Sequence, residues 1–138
     1  DELLKATWRG DEMEVARGID FVHTENTSLL TYNDENSLSC VISLAYYNAV
    51  KEYQIIREMP AGKGYADLVF LPRKNSDKPA MIIELKWNDT VLGAIEQIKG
   101  KEYIKALKTY HGTLLLVGIN YNKKSKKHEC CIEKINMP

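Results

Sequence analysis

Several familiar kinds of active site are missing from this sequence of 138 residues. Its three cysteines, an odd number without C-x-x-C spacing, supply neither a disulfide framework nor a zinc site, and they favour a reduced, cytoplasmic environment. The three histidines, His23, His111 and His128, lack the spacing of metal ligands. No P-loop and no nucleophile elbow are present, so nothing in the chain indicates ATP hydrolysis or a serine hydrolase.

Long apolar runs are absent as well. No stretch approaches the roughly 18 apolar residues that would span a membrane, and no signal peptide is recognisable. The length and the 44% apolar content predict one globular unit with a single sizeable core. The sequence therefore predicts a protein that has no membrane-embedded part.

Opposite charges balance overall but not along the chain. Residues 1–98 contain 10 Lys and Arg against 16 Asp and Glu, a balance of −6, whereas residues 99–138 contain 9 against 3, a balance of +6. A basic C-terminal third is suited to contact phosphate groups. The alternative interpretation is a solvated helix face followed by a charged hairpin.

Residues 1–32 predict a helical extension that precedes the main domain. Apolar residues among charges indicate helix from residue 1 to about residue 22, and Gly10 followed by Asp11 predicts a break into two short helices. We expect this acidic segment to pack as a lid or an extension. The main domain is then expected to occupy residues 33–138 as one globular unit.

The main domain is predicted to contain a helix, three strands, a second helix and two further strands. The predicted helices are 33–51 and 91–110, and the predicted strands are 53–59, 65–71, 80–87, 113–119 and 129–135. The strand–helix–strand unit from Ala80 to Ile119 should form a right-handed parallel crossover. The fold class that follows is α/β, with a mixed sheet of about five strands flanked by helices.

Charged residues interrupt two of the predicted internal strands. Asp67 lies in the second strand, and Glu84 and Lys86 lie in the third. Because side chains alternate along a strand, Glu84 and Lys86 share the face of Ile82. Burying such charges is costly unless they are paired or bind a metal ion. One interpretation is an inert buried ion-pair cluster, and the other is a catalytic site.

Three segments of the sequence form an ordered set around these charges. They are Gly62-Lys63-Gly64-Tyr65-Ala66-Asp67-Leu68, Ile83-Glu84-Leu85-Lys86, and Ala94-Ile95-Glu96-Gln97-Ile98 through Tyr103. Together they resemble the PD-(D/E)XK nuclease core, in particular the branch that follows an AAA-ATPase-like domain in bacterial proteins. The resemblance covers roughly residues 33–133. It implies a restriction-endonuclease-like fold, a nucleic acid, DNA more often than RNA, as partner, and Mg²⁺ or Mn²⁺ as cofactor.

The resemblance also implies roles for individual residues. Asp67, Glu84 and the backbone carbonyl of Leu85 would bind the metal ion. Lys86 would act on the attacking water or the scissile phosphate, and Gln97 would position substrate or water. These roles define the candidate catalytic site.

Five further residues have both a functional and an ordinary interpretation. Glu35 matches an acid that many members use as an additional metal ligand, and it also suits the N-terminus of a helix. Glu58, at the end of the first strand, either belongs to the same neighbourhood or faces solvent. Lys63, Lys101 and Tyr103 are candidate contacts to nucleic acid, although lysines on helices are usually solvated.

Two functions remain open on the sequence alone. The first is a metal-dependent nuclease that hydrolyses phosphodiester bonds, which the intact Asp67, Glu84 and Lys86 favour. The alternative is a non-catalytic module that keeps the nuclease fold and binds nucleic acid or the ATPase-like domain of its parent chain. A homodimer whose basic C-terminal regions form one groove is also compatible with the sequence.

Overall fold

Helices and strands follow one another in the order that the sequence predicts. The computed structural model describes residues 2–25, 35–61, 64–74, 76–100 and 110–137, with all of their side chains except those of residues 35–37, 58–61, 64–67, 100 and 137. The elements are α1 (Glu2–Arg9), α2 (Glu12–Glu25), α3 (Glu35–Ala45), a 3₁₀ helix (Tyr47–Lys51), β1 (Tyr53–Ala61), β2 (Gly64–Pro72), β3 (Ala80–Trp87), α4 (Val91–Gly100), β4 (Gly112–Asn122) and β5 (Lys127–Met137). Within these ranges no helix is long and apolar enough to cross a membrane.

The five strands form one mixed sheet in the spatial order β1-β2-β3-β4-β5. Neighbouring strands run antiparallel except β3 and β4, which are parallel and are connected through α4. The predicted parallel pairing of these two strands is confirmed, and β5 lies at one edge of the sheet. The architecture is the predicted α/β fold, a restriction-endonuclease-like core preceded by a helical extension.

Side chains on the two faces of the sheet belong to two separate hydrophobic clusters. On one face, Ile95 and Ile98 of α4 pack with alternate strand residues that include Val69, Ile82 and Leu116. On the other face, the first three helices cover the remaining strand residues. Their buried members are Leu3, Leu4, Ala6, Val15, Ile19, Leu38, Val41, Ile42 and Ala45. The N-terminal helices thus bury apolar side chains in the same cluster as α3 and the sheet.

The first long helix of the main domain is shorter than predicted. The sequence predicts helix over residues 33–51, whereas α3 ends at Ala45 and the chain continues as a 3₁₀ helix to Lys51. The Ala49 amide donates to the Tyr46 carbonyl at 2.9 Å, a tighter i to i+3 bond. The predicted continuous helix is therefore wrong at its C-terminal end.

The last two strands are longer than predicted. The sequence predicts strands over 113–119 and 129–135 with a basic loop between them, but only residues 123–126 form the turn between β4 and β5. The Asn122 side-chain oxygen accepts hydrogen bonds from the amides of Lys124 and Ser125, at 2.9 and 3.0 Å. This local bonding closes a tight turn, so the hairpin extends into the predicted loop.

Helix α2 covers the outer edge of β5. The Ile132 amide donates to Oε2 of Glu12 at 2.7 Å, and the His128 amide donates to Oδ1 of Asp20 at 2.8 Å. The backbone groups of an edge strand are a template for pairing with another chain. The two carboxylates of α2 satisfy donors on this edge and so shield it.

The same contact brings together two histidines that are distant in the sequence. His128 Nδ1 lies 2.7 Å from Asp20 Oδ1, and the rings of His23 and His128 meet edge to face with centroids 5.6 Å apart. Burial lowers the pKa of both histidines because desolvation disfavours the imidazolium, while Asp20 acts in the opposite direction. The spacing of these histidines along the sequence therefore gave no sign that they are in contact. Among the described side chains, the pair forms no three-ligand metal site.

We predict that acidification destabilises this contact. Both histidines regain a pKa near 6.5 on unfolding, so just below that pH the unfolded chain binds more protons than the folded chain. The free energy of unfolding should therefore fall as the pH decreases through 6.5 toward the lowered folded values. Urea denaturation at a series of pH values measures this loss.

The double variant His23→Gln/His128→Gln should lose less stability over the same pH range. His111→Gln, at an exposed position, is the matched control and should keep the wild-type loss. An equal loss in the double variant would assign the pH dependence to other groups.

Candidate active site

Strand β3 carries the acidic and basic residues of the candidate site. Glu84 is 1% exposed and shares the face of Ile82, which packs against α4. The predicted alternation of side chains between the two faces of this strand is confirmed, because Ile83 and Leu85 belong to the cluster on the opposite face. A buried carboxylate loses its hydration, so it requires compensating contacts inside the protein.

Gln97 of α4 provides one such contact. Its Nε2 donates to Glu84 Oε1 at 2.5 Å. The start of α4 is fixed by Thr90, whose Oγ1 accepts the Gly93 amide at 2.9 Å, and this cap sets the position of the helix residues that follow. The structure thus brings together two of the residues that the sequence singled out.

Asp67 lies beside Glu84 according to the register of the sheet. The antiparallel pairing of β2 with β3 includes Leu68 opposite Ile83. The next pair of facing residues, toward the C-terminal end of β3, is Asp67 in β2 and Glu84 in β3. The backbone therefore supports the predicted proximity of the two acids, although the Asp67 side chain lies outside the described residues.

The register of β1 places a third acidic position at the same level. Arg57 pairs with Leu68, so the next residue, Glu58, stands opposite Asp67. The Glu58 side chain also lies outside the described residues. Three neighbouring strands thus carry an acidic residue at one level of the sheet.

Lys86 is partly exposed and lies two residues after Glu84. The parallel pairing of β3 with β4 places Lys86 opposite Asn120 and Glu84 opposite Gly118. Strand alternation gives Lys86 the face of Glu84, close to the end of β3. Leu85 buries its side chain on the opposite face and is 4% exposed, so only its backbone belongs to the candidate site.

The remaining candidate residues are described only in part. Glu35 is the first residue of α3, as expected for an acid early in that helix, and its side chain lies outside the described residues. Lys63, Lys101 and Tyr103 lie outside them altogether, as do residues 101–109 of the predicted helix. The roles of these residues stay predictions.

Gly118 permits the close approach of α4 to the sheet. A Cβ atom at this position would lie 2.9 Å from Ala94 Cβ and 2.9 Å from the Val91 carbonyl oxygen. A side chain here would therefore displace the helix. Because Gly118 pairs with Glu84, this contact lies at the level of the site. This contact is not predicted from the sequence, in which the available signal is a glycine inside an apolar strand.

Asn120 fixes the turn between β3 and α4. Its buried side chain accepts the Asp89 amide at Oδ1 (2.9 Å), and its Nδ2 donates to the Asp89 carbonyl (2.9 Å) and to Glu129 Oε1 (2.9 Å). One amide group thus satisfies both backbone groups of the residue that precedes the helix cap. This role is not predicted from the sequence, because an Asn after an apolar run is typical of a turn.

The donor set suits a hard divalent cation. Such ions take oxygen ligands, usually one or two carboxylates together with water and substrate phosphate. Glu84 supplies a carboxylate oriented by Gln97, and the register places Asp67 in the adjoining strand. The described side chains alone form no group of three His, Cys, Asp or Glu that could hold a metal. By the chemistry of its donors, Glu84 suits such an ion, and the register brings the backbone of a second acidic residue, Asp67, next to it.

Asp67 on one strand and Glu84-Leu85-Lys86 on the next define a protein with a restriction-endonuclease-like core. The family model of the PD-(D/E)XK nuclease superfamily matches residues 33–130. The chain belongs to this superfamily, whose members generally use divalent metal ions and whose fold implies binding of nucleic acid. Searches of the curated proteins and of the solved structures found no match.

We predict that Asn120→Asp destabilises the fold by at least about 2 kcal/mol at neutral pH. The substitution keeps the size of the side chain but replaces the donor Nδ2 with an oxygen that faces the Asp89 carbonyl and the Glu129 carboxylate. Urea denaturation measures the change. Asn136→Asp, at an exposed position of β5, is the matched control and should change stability by less than about 0.5 kcal/mol. Equal stabilities of the two variants would contradict the role assigned to Asn120.

Proposed function

We propose that the chain is a metal-dependent nuclease that hydrolyses phosphodiester bonds, with DNA rather than RNA as its substrate. The observation that carries the proposal is the buried Glu84 carboxylate, held by Gln97 within a nuclease-superfamily fold. A carboxylate in a sheet core costs free energy, and a module that only needed the fold would gain by replacing it. Lys86 completes the Glu-x-Lys pair.

We assign the metal ion, Mg²⁺ or Mn²⁺, to Asp67, Glu84 and the carbonyl of Leu85, with Glu35 as an additional ligand. Bound there, the ion would lower the pKa of a water molecule and polarise a phosphoryl oxygen. The hydrogen bond from Gln97 holds Glu84 in one orientation, as partners of metal ligands commonly do. The carboxylate therefore needs little reorganisation when the ion binds.

Lys86 is proposed to stabilise the negative charge that develops on the scissile phosphate. A fixed cation beside a transferring phosphoryl group favours the transition state over the ground state. The partial exposure of Lys86 is consistent with access to a substrate that arrives from solvent. Gln97 is assigned a positioning role, through Glu84 and toward the substrate or the attacking water.

The proposed contacts to nucleic acid are Lys63, Lys101 and Tyr103. Lysines near the site would neutralise phosphates and release counterions, which makes binding weaker at high salt. A tyrosine ring offers a surface on which an unpaired base stacks. The positive charge balance of residues 99–138 also suits contacts to the phosphate groups of a nucleic acid.

We also propose a context for this domain. It spans residues 33–138, and the parent protein belongs to the branch in which an AAA-ATPase-like domain precedes the nuclease domain in a bacterial, cytoplasmic protein. The support is the ordered motif set around Asp67, Glu84 and Gln97. In this arrangement the preceding domain would control access to the nuclease site.

We predict that Lys86→Ala and Glu84→Gln each lower the rate of cleavage by at least about 100-fold. The first variant removes the cation, and the second removes a carboxylate while it keeps an oxygen for Gln97. The assay uses labelled single-stranded, duplex and branched DNA and the equivalent RNA, with Mg²⁺ or Mn²⁺ and with a chelator. Melting temperatures should stay close to that of the wild type.

Lys51→Ala, at an exposed position of the 3₁₀ helix before β1, is the matched control and should cleave like the wild type. Equal cleavage by wild type and Lys86→Ala would indicate a contaminating nuclease and count against the proposal. Binding that weakens with salt, ignores Mg²⁺ and leads to no cleavage would favour the non-catalytic module.

We predict that Mn²⁺ or Mg²⁺ raises the melting temperature of the wild type but not of Glu84→Gln or Asp67→Asn. An ion that binds only the folded chain stabilises it by about 2.7 kcal/mol at 100 times its Kd. Thermal denaturation across a metal titration measures this shift independently of cleavage. A shift of equal size in the variants would place the ion at another site.

A further inference from the structure

A cavity opens at the end of the sheet opposite the proposed active site. Its volume is about 510 Å³, and it lies next to Pro79 and Gly112, where β3 and β4 begin. Glu84 lies five residues beyond Pro79 along the chain, a distance of roughly 16 Å in an extended strand. The cavity is therefore separate from the residues assigned to catalysis.

Two aromatic side chains of the cavity are held by hydrogen bonds. Trp8 Nε1 donates to the Tyr53 hydroxyl at 2.7 Å, and this hydroxyl donates to the Pro79 carbonyl at 2.6 Å. The Tyr110 hydroxyl donates to the Thr113 carbonyl at 2.8 Å. Rings that are fixed in advance lose little conformational freedom when a planar ligand packs against them.

Three cationic side chains line the same cavity. Arg73 follows β2, Lys78 precedes β3 and Lys134 lies in β5, so separate parts of the chain direct positive charge to one place. The lone acidic residue among the described lining residues is Asp77, whose side chain is 93% exposed and lies 3.7 Å from Lys78. A solvated pair of this kind neutralises little. The cavity thus concentrates positive charge in a chain whose net charge is zero.

Two of these cations have defined positions. Arg73 Nε donates to the Val50 carbonyl at 2.8 Å, which anchors the guanidinium group. Lys78 Nζ lies 4.5 Å from the centroid of the Trp8 ring. Positive charge and an aromatic surface are therefore adjacent, a combination that suits a ligand with both an anionic and a planar part.

We propose that this cavity binds a phosphate-bearing nucleotide, with the base against an aromatic ring and the phosphate against the three cations. Cavities for small ligands typically enclose about 300–1,000 Å³, so the size suits a mononucleotide. Guanidinium and ammonium groups bind phosphate strongly, and bases stack on aromatic side chains without regard to sequence. A free mononucleotide and the terminal nucleotide of a strand share this chemistry. The proposal uses no residue of the nuclease site and stands independently of the proposed function.

The two tryptophans supply a direct test by NMR. Trp8 lines the cavity, and its indole N–H reports on that ring, whereas Trp87 stacks on Tyr121, with ring centroids 4.8 Å apart, at the other end of the strands. AMP, inorganic phosphate, adenosine and a 5′-phosphorylated oligothymidine of five nucleotides are titrated in the presence of a chelator. We expect AMP to shift the Trp8 signal and leave that of Trp87, and to bind at least about tenfold more tightly than phosphate or adenosine.

Substitutions of the cations separate binding at this cavity from binding elsewhere. Lys78→Gln and Lys134→Gln should each weaken AMP binding at least about fivefold, while Lys124→Gln, in the distant turn between β4 and β5, should not. The spectra of the variants verify their folds. Because the chelator excludes the metal ion and no cleavage is measured, the result does not depend on nuclease activity.

Each arm of the experiment has a defined meaning. A shift with AMP alone supports a site for a free nucleotide, and tighter binding of the oligonucleotide supports a site for a strand end. If adenosine bound as tightly as AMP, the proposed role of the cations would be overturned. If inorganic phosphate bound as tightly as AMP, the proposed role of the aromatic rings would be overturned. No shift of Trp8 with AMP or the oligonucleotide, or full affinity in both Gln variants, would overturn the proposal.

Discussion

The burial of the Glu84 carboxylate is the constraint on which this part of the structure depends. Inside a sheet the charge loses its hydration, so a polar partner must be held close to it. Gln97 is that partner, and it reaches Glu84 only because α4 lies close to β4 at Gly118. Asn120 fixes the turn that enters α4. The hydrogen bond between Gln97 and Glu84 therefore depends on the absence of a side chain at Gly118 and on the buried side-chain amide of Asn120.

The sheet gathers acidic residues because of its register, not because of their spacing along the chain. Glu58, Asp67 and Glu84 belong to three strands but stand at one level. Carboxylates that share a site repel one another, and a cation relieves that repulsion. Members of the superfamily to which the chain belongs generally use divalent metal ions, and such ions bind carboxylate oxygens. Lys86 lies two residues after Glu84 in β3 and therefore shares its face of the sheet.

The helical extension contacts one edge and one end of the sheet. The edge formed by β5 is shielded by Glu12 and Asp20 of α2, which keeps its backbone donors paired within the chain. The end where β3 and β4 begin carries the cationic, aromatic cavity, with Trp8 held against the sheet through Tyr53. The helical extension therefore takes part in both regions, because it supplies the carboxylates to one and the indole to the other.

The sequence by itself determined the order of the elements, the bounds of β3 and the shared face of Glu84 and Lys86, because these follow from local patterns of apolar and turn residues. The resemblance to a known motif placed Gln97 in the candidate site, and the structure added its hydrogen bond to Glu84. Tertiary structure alone decided the role of Asn120 and the contact between His23 and His128. Each depends on contacts between distant residues whose types have an ordinary local explanation, so no local pattern marks them.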